Sequence, residues 1–152
     1  MRLVKKTFSF SQSFTVAANA SVYFIGLPNG CSITFDSEEY FSSVGGYEVR
    51  FLKGIEFTGG QALSGVNTNT ADPVTQTLSI IGGPTVTNDG DLLLLTGAPV
   101  ADNPQGRVRS QSNITAPWHL DSGVNYAIKI TNLNNQPINM YATLCWSEYE
   151  LL

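Results

Sequence analysis

The chain has 152 residues, of which 42% are apolar and only 13% are charged, and its formal net charge at pH 7 is −4. This length suits one domain with a substantial core. The acidic balance argues against nucleic acid as a partner, since phosphate binding needs a clustered basic face. No apolar run approaches the roughly 20 residues that a membrane-spanning helix requires, so we also expect no membrane partner.

The chain begins with MRLVKKTFSFSQSFTV, in which Phe8 and Phe10 alternate with polar residues as they would in a strand. The basic start and the later AANA have the outline of a secretory leader, but Ser, Thr and Gln interrupt the apolar stretch. We therefore predict folded structure here. Residues 1–18 are assigned to an N-terminal strand or arm, and residues 19–152 to a single β-sandwich domain.

Three more alternating stretches follow in the first half of the chain, and each predicts a strand. They are ASVYFIGL, CSITF and YEVRFLKGIEF. Pro28-Asn29-Gly30 is a strong turn signal between the first two, and Gly54 is expected to bend the third. The acidic segment from Asp36 to Ser42 is the one place where the sequence permits a short helix.

The middle of the chain is predicted to contain a long polar loop, GGQALSGVNTNTADP, and then a strand, VTQTLSII. Asp89-Gly90 suits a tight hairpin turn. The run LLLLT that follows is apolar on both faces, which predicts a strand buried on both sides. RVRSQ is predicted to be an edge strand with Arg107 and Arg109 on one face.

The C-terminal segment consists of two alternating stretches, YAIKITN and INMYATLCWSE, joined by a polar turn that contains Pro137. Their period of two predicts half-buried antiparallel strands, and the short turn predicts that the two strands form a β-hairpin. In the second stretch Leu144 and Trp146 share the inward face, whereas Tyr141, Thr143 and Cys145 share the opposite face.

Eight or so strands without a convincing helical period predict an all-β fold, an antiparallel two-sheet sandwich of the jelly-roll kind with at most one short helix. The expected core is the set of inward-facing apolar residues in these strands. It comprises Phe24, Val49, Phe51, Leu78, Ile80, Leu93, Ile128, Ile130, Met140, Leu144 and Trp146.

Residues that carry chemistry are scarce. His119 is the only histidine, so any catalytic triad would have to use it, and a packing role is favoured. His119, Cys31 and Cys145 together are too few and too far apart in the sequence for a zinc site. Two unpaired thiols are favoured over a disulfide. The acidic turns lack calcium-loop spacing. We therefore expect no catalytic, cofactor-binding or metal-binding residues and no enzymatic activity.

The C-terminal part of the chain resembles a known group of proteins. The matching residues are Leu120, Tyr126 to Asn132 (YAIKITN), Leu144 to Glu148 (LCWSE) and, earlier, FTGGQALSGVNTN. This pattern is similar to that of the jelly-roll decoration, or cement, proteins on the capsids of tailed bacteriophages. The resemblance covers about the last two-thirds of the chain, and Thr70 stands where that group commonly has Arg.

The resemblance implies a non-enzymatic homotrimer on the outer surface of an icosahedral shell, where the major capsid protein is its partner. Such a protein would be assembled in the host cytoplasm and carried in the virion. From the residues themselves we expect the basic, apolar N-terminus to add a strand to a partner's sheet while its charges meet carboxylates. The candidate capsid or subunit interface comprises Arg2, Leu3, Val4, Lys5, Lys6, Arg107, Arg109 and Trp118.

Two alternatives stay open at this point. One is a carbohydrate-binding or receptor-binding β-sandwich module of a phage fibre or tail, in which exposed aromatic residues such as Tyr47 and Trp118 stack on sugars. The other is a small hydrolase, which would require a carboxylate and a hydroxyl within hydrogen-bonding reach of His119 in a cleft.

Overall fold

The computed structural model describes residues 2–100, 110–114 and 117–151, with the backbone alone for 110–114. These residues form β-strands joined by turns and contain no helix, which confirms the predicted fold class. The strands are β1 (Leu3–Val16), β2 (Ser21–Leu27), β3 (Ser32–Ser42), β4 (Tyr47–Lys53), β5 (Glu56–Thr58), β6 (Gln61–Leu63), β7 (Val66–Asn67), β8 (Ser79–Gly82), β9 (Thr85–Asn88), β10 (Asp91–Ala98), β11 (Ser110–Ile114), β12 (Trp118–Leu120), β13 (Tyr126–Asn132) and β14 (Ile138–Leu151).

Two six-stranded antiparallel sheets pack face to face. Sheet A has the order β11-β3-β14-β1-β7, with β12 also paired to β3, and sheet B has the order β10-β4-β13-β2-β8-β6. A two-stranded sheet, β5-β9, lies apart from them. Among the described strands no two that are consecutive in the chain pair with each other, so the fold is built from long-range pairings.

The core between the sheets is formed by the inward faces of alternating strands. Of the eleven residues predicted for the core, ten are buried and Leu93 is partly buried against them. Aromatic rings fill the centre: the Trp146 ring stacks on Phe8 at 5.8 Å and lies 6.4 Å from Phe35, between ring centroids. Aromatic side chains of this size contribute a large part of the burial that holds a sandwich together.

A second, smaller apolar cluster covers the outer face of sheet B. Ile25, Leu52 and Ala127 point away from the main core and form a cluster with Ile55. Phe57 of the β5-β9 sheet packs against this cluster. The outer face of sheet B is therefore partly covered, whereas no described strand covers the outer face of sheet A.

The prediction of a C-terminal hairpin is wrong, although the prediction of its two strands is confirmed. β13 lies in sheet B between β4 and β2, and β14 lies in sheet A between β3 and β1. The connection is an arch between the sheets, held by the buried Asn132, whose amide donates to the carbonyl oxygens of Val16, Ala17 and Gln136 at 3.1, 3.2 and 2.8 Å. Alternation identifies a half-buried strand but does not identify its partner.

The segment from Asp36 to Ser42, where the sequence permits a short helix, belongs instead to β3. The pairing of β3 with β14 shifts at Asp36, where one residue of β3 has no partner. The bulge changes which residues face inward, so that Glu38, Tyr40 and Ser42 are buried. A sequence pattern that assumes an uninterrupted period of two cannot follow this change.

Three expectations for the middle of the chain need correction. Asp89-Gly90 does not close a hairpin, since β9 pairs with β5 and β10 pairs with β4. β10 is the edge strand of sheet B rather than a strand buried on both faces, and Leu92 and Leu95 are each 49% exposed. The long polar loop contains two short strands, β6 and β7.

The described part of the chain offers no helix that is long and apolar enough to cross a membrane.

Candidate functional site

The N-terminal residues predicted for an interface lie in a strand that is already paired. β1 pairs with β14 along its whole length, from Leu3 opposite Leu151 to Val16 opposite Ile138. On its other side β7 pairs only with Phe8 and Ser9. The segment from Leu3 onward is thus part of sheet A rather than an unpaired arm.

The far end of the β1–β14 ribbon carries an exposed mixture of apolar and basic side chains. Leu3 is 63% exposed and Leu151 is 60% exposed, and the two residues are cross-strand neighbours. Arg2 and Lys5 are exposed beside them, and the Lys5 ammonium lies 5.9 Å from the centroid of the Tyr149 ring. We call these five residues, Arg2, Leu3, Lys5, Tyr149 and Leu151, the terminal tip.

Lys6 is engaged within the chain. Its ammonium forms an ion pair with the carboxylate of Asp72, and this hydrogen bond holds the pKa of Asp72 below its usual value. Asp72 also accepts a hydrogen bond from the Val74 amide at 3.0 Å. The Thr68 amide and hydroxyl donate to the Thr7 carbonyl at 2.9 and 3.1 Å. These contacts fasten the loop around β7 onto β1, so Lys6 helps to hold the fold.

Of the remaining residues predicted for the interface, two are described by the structure and two are not. Trp118 is half-buried, and its ring packs edge-on against Phe51 at 5.3 Å between centroids. Its indole nitrogen is buried and has no hydrogen-bond partner among the described residues. Most of the Trp118 contacts are therefore inside the chain. Arg107 and Arg109 lie outside the described residues, and Val4 is half-buried on β1 opposite Glu150.

Glu148 is a buried carboxylate with a complete set of partners. It accepts hydrogen bonds from the amides of Thr77 and Leu78 at 2.9–3.0 Å, from the Thr77 hydroxyl at 2.9 Å and from the Trp146 indole at 3.1 Å. A buried charge is tolerated when donors satisfy it in this way. Glu148 pins the segment before β8 to the inner face of β14, which is a structural role.

On the outer face of sheet B, Asp89 joins two cross-strand neighbours, Tyr23 and Lys129. Its carboxylate accepts from the Tyr23 hydroxyl and from the Lys129 ammonium, each at 2.7 Å. Burial alone would raise the pKa of Asp89, but these two donors outweigh it and leave the pKa lowered. Asp89 thereby ties the turn after β9 to sheet B.

His119 does not have the surroundings of a catalytic histidine within the described residues. It is exposed on β12, its Nδ1 atom lies 3.4 Å from the Thr34 hydroxyl, and no carboxylate there bonds to it. The described residues also contain no group of three or more His, Cys, Asp or Glu side chains that could hold a metal ion.

The outer face of sheet A has a feature that sequence reasoning missed. Tyr141 projects from β14 with 63% of its surface exposed, and its cross-strand neighbours are Phe41 on β3 and Ser13 on β1. Its outward orientation follows from the alternation of β14. The composition of the surroundings depends on the pairing of three strands that are distant in sequence, and no local signal encodes that pairing.

Two grooves run along either side of the Tyr141 ring. One, of about 390 Å³, is lined by Phe41, Ser42, Ser43, Asn139 and Tyr141. The other, of about 350 Å³, is lined by Ser13, Phe14, Thr15, Asn139, Met140 and Tyr141. None of these lining residues is ionisable near neutral pH.

Comparisons with known proteins find no matching family model and no matching curated protein. Among solved structures, a mitogen from Yersinia pseudotuberculosis is similar with a TM-score of 0.32 and 11% identity, over 90% of this chain and 83% of that one. The decameric BFDV capsid protein gives a TM-score of 0.30 and 10% identity, over 97% and 99% of the two chains. A carbohydrate-binding module from a Cellvibrio mixtus lichenase, in complex with cellotriose, gives 0.26 and 12%, over 95% and 89%. Scores this low identify neither the topology nor the function of this chain.

Proposed function

We propose that the chain is a non-enzymatic structural protein of a bacteriophage particle. In this proposal it decorates and stabilises an icosahedral capsid as a homotrimer on the outer surface, with the major capsid protein as its partner. The terminal tip is the observation that carries the proposal. Two paired, exposed leucines beside two cations are unusual in a protein that is acidic as a whole.

The chemistry of the terminal tip suits an apolar surface bordered by carboxylates. Single exposed leucines are ordinary, but Leu3 and Leu151 lie opposite each other and present one continuous apolar surface. Arg2 and Lys5 add positive charge next to it. Apolar contact contributes affinity, and the flanking charges steer the approach of an acidic partner.

The proposed docking uses side chains and differs in this from the strand addition expected from the sequence. One edge of β1 pairs with β14, and β7 pairs with only Phe8 and Ser9 on the other edge. The terminal tip offers exposed side chains, so docking through it needs no strand addition. Lys6, which pairs with Asp72, is left out of the proposed contact.

The proposed subunit contact is the exposed edge of sheet B. Leu95 on β10, Pro99 and Leu133 line a shallow groove there, and we call these three residues the edge patch. Leu95 is 49% exposed and Leu133 is 44% exposed. Edge strands with apolar side chains are prone to uncontrolled association, and covering the edge patch with a second copy of the chain in a closed ring removes that hazard.

Light scattering on the purified protein at micromolar concentration tests the trimer. We expect a trimer for the native chain and a monomer for Leu133→Asp, because the new carboxylate would be buried against an apolar neighbour. Tyr141→Ser, which changes a more exposed side chain on the opposite sheet, should remain trimeric. A native chain that is monomeric under these conditions would contradict the proposed assembly.

A further inference from the structure

The outer face of sheet A contains an aromatic platform that the proposed capsid contact does not use. Tyr141 stands 63% exposed at the centre of this face, and Phe41 lies directly beside it on the neighbouring strand. Because the two grooves flank the Tyr141 ring, a flat ligand has access to the aromatic face and to the groove walls together.

The polar groups around the platform are hydroxyls and an amide. Thr15 donates its hydroxyl proton to the Oδ1 atom of Asn139 at 2.9 Å, which fixes the orientation of that side chain. The other side-chain atom of Asn139, its amide nitrogen, is left as a donor between the two grooves. Ser13 and Ser43 add hydroxyl groups, one on each side. The Ser43 hydroxyl oxygen accepts from the Asn139 backbone amide at 3.3 Å and keeps its own proton to donate.

This combination favours one class of ligand. A pyranose ring has an apolar face that packs on an aromatic ring and an equatorial rim of hydroxyls that need donors and acceptors. An exposed aromatic body with a few placed polar groups provides both. We propose that the outer face of sheet A binds a neutral saccharide, with one sugar ring against Tyr141 and its hydroxyls bonded to Asn139, Ser13 and Ser43.

Other occupants fit this face less well. A nucleic acid or an anionic glycan needs cationic partners, and the described residues that line the two grooves are uncharged. A protein partner needs a buried apolar centre rich in aromatic and aliphatic side chains. Here the neighbouring outward positions of β1 and β14, among them Ser11, Ser13, Thr15, Asn139 and Thr143, are polar.

The saccharide site is independent of the terminal tip. Tyr141 and Tyr149 lie on the same strand and the same face, and eight residues of extended chain separate them by about 26 Å. A chain docked through its terminal tip would leave the Tyr141 platform accessible. A chain that makes no capsid contact would have the same accessible platform. The inference therefore does not rest on the proposed function.

Binding of the fluorescently labelled native chain to an array of neutral, sialylated and sulfated glycans tests the site, followed by titration calorimetry with the neutral glycans retained. We expect retention of a subset of neutral glycans. Tyr141→Ala and Asn139→Ala should each weaken that binding about tenfold or more, since loss of a stacking surface or of a placed donor costs on the order of 1.4 kcal/mol or more.

Val66→Ala is the matched control, because Val66 lies on β7 of the same sheet, is 62% exposed against 63% for Tyr141, and lines neither groove. It should bind neutral glycans as the native chain does. Circular dichroism and thermal unfolding confirm that the variants are folded, which is expected since Tyr141 makes few packing contacts. Absence of any retained neutral glycan would overturn the proposal, and so would equal binding by Tyr141→Ala and the native chain.

Discussion

Glu38 is a carboxyl group inside the sandwich that lacks the partners Glu148 has. It is 2% exposed, and among the described residues neither of its carboxylate oxygens has a hydrogen-bond partner. The Tyr40 hydroxyl lies nearby on the same face of β3 but outside hydrogen-bonding geometry, and it has no partner in the described part of the chain either. Burial raises the pKa of Glu38 to about 8, and the proximity of Tyr40 offsets part of that rise. Glu38 therefore keeps its proton at neutral pH.

The raised pKa of Glu38 predicts a loss of stability as the pH increases. Between its ordinary pKa of 4.5 and about 8, the unfolded chain releases this proton while the folded chain retains it. The free energy of unfolding should therefore fall by about 1.4 kcal/mol per pH unit in this window, or about 4–5 kcal/mol across it, from Glu38 alone. Urea denaturation at pH 5 and at pH 8 measures most of this decrease, about 3–4 kcal/mol.

Substitution separates the contribution of Glu38 from that of other titrating groups. Glu38→Gln cannot ionise, so its unfolding free energy should change less between the two pH values and should exceed that of the native chain at pH 8. Glu39→Gln changes the adjacent, exposed carboxylate and should retain the native dependence. If Glu38→Gln and the native chain show the same dependence on pH, the buried carboxyl does not have the raised pKa assigned to it.

At the scale of single residues, the sequence predicts the direction in which a side chain points better than it predicts the residues that this side chain contacts. The inward set Met140, Leu144 and Trp146 and the outward position of Tyr141 follow from alternation and are confirmed. The contrast between Glu38 and Glu148 does not follow from it. Both face inward, but Glu148 accepts from the amides of Thr77 and Leu78, which the loop before β8 brings to it.

At the scale of elements, the register of β14 matters most for the stability of sheet A, because this strand lies between β3 and β1 and pairs with both. Leu144→Ala should lower the free energy of unfolding by about 2–5 kcal/mol, since it leaves a cavity in the core. Thr143→Ala, on the outer face of the same strand, should cost less than about 1 kcal/mol. Denaturant unfolding of both variants measures the difference, and similar costs would mean that the faces of β14 are reversed.

The errors at this scale have two physical causes. The apparent helix at Asp36 to Ser42 was a strand with a bulge, which interrupts the period of two. The apparent hairpins at Asp89-Gly90 and at the C-terminus were links between strands with other partners. Turn residues predict that the chain reverses, whereas pairing is decided by which edges and apolar faces remain uncovered after the whole chain has folded.

The loop between β5 and β8 illustrates the same limit. Its composition predicts an irregular polar segment, yet β6 pairs with β8 and β7 pairs with β1. Gly65 allows this segment to approach the core closely, since a Cβ atom there would lie 2.5 Å from the Trp146 ring. The glycine is visible in the sequence, but the tryptophan that requires it is 81 positions away in the chain.

At the scale of the whole molecule, the low charge and the alternation are sufficient to predict two antiparallel sheets around an aromatic core. They are insufficient to predict which surfaces stay open. The β5-β9 sheet roofs part of sheet B, while the outer face of sheet A, the terminal tip and the edge patch remain exposed. These three surfaces are the ones for which we propose binding roles.

Electron microscopy of capsid shells tests the proposed role of the terminal tip. Shells of the phage proposed as the source, prepared without this protein, are incubated with the native chain, with the double variant Leu3→Ser/Leu151→Ser, or with Tyr141→Ala as a control. We expect trimeric density on the outer surface for the native chain and for Tyr141→Ala, and strongly reduced occupancy for the double variant. Bare shells after incubation with the native chain, or full occupancy by the double variant, would contradict the proposed role.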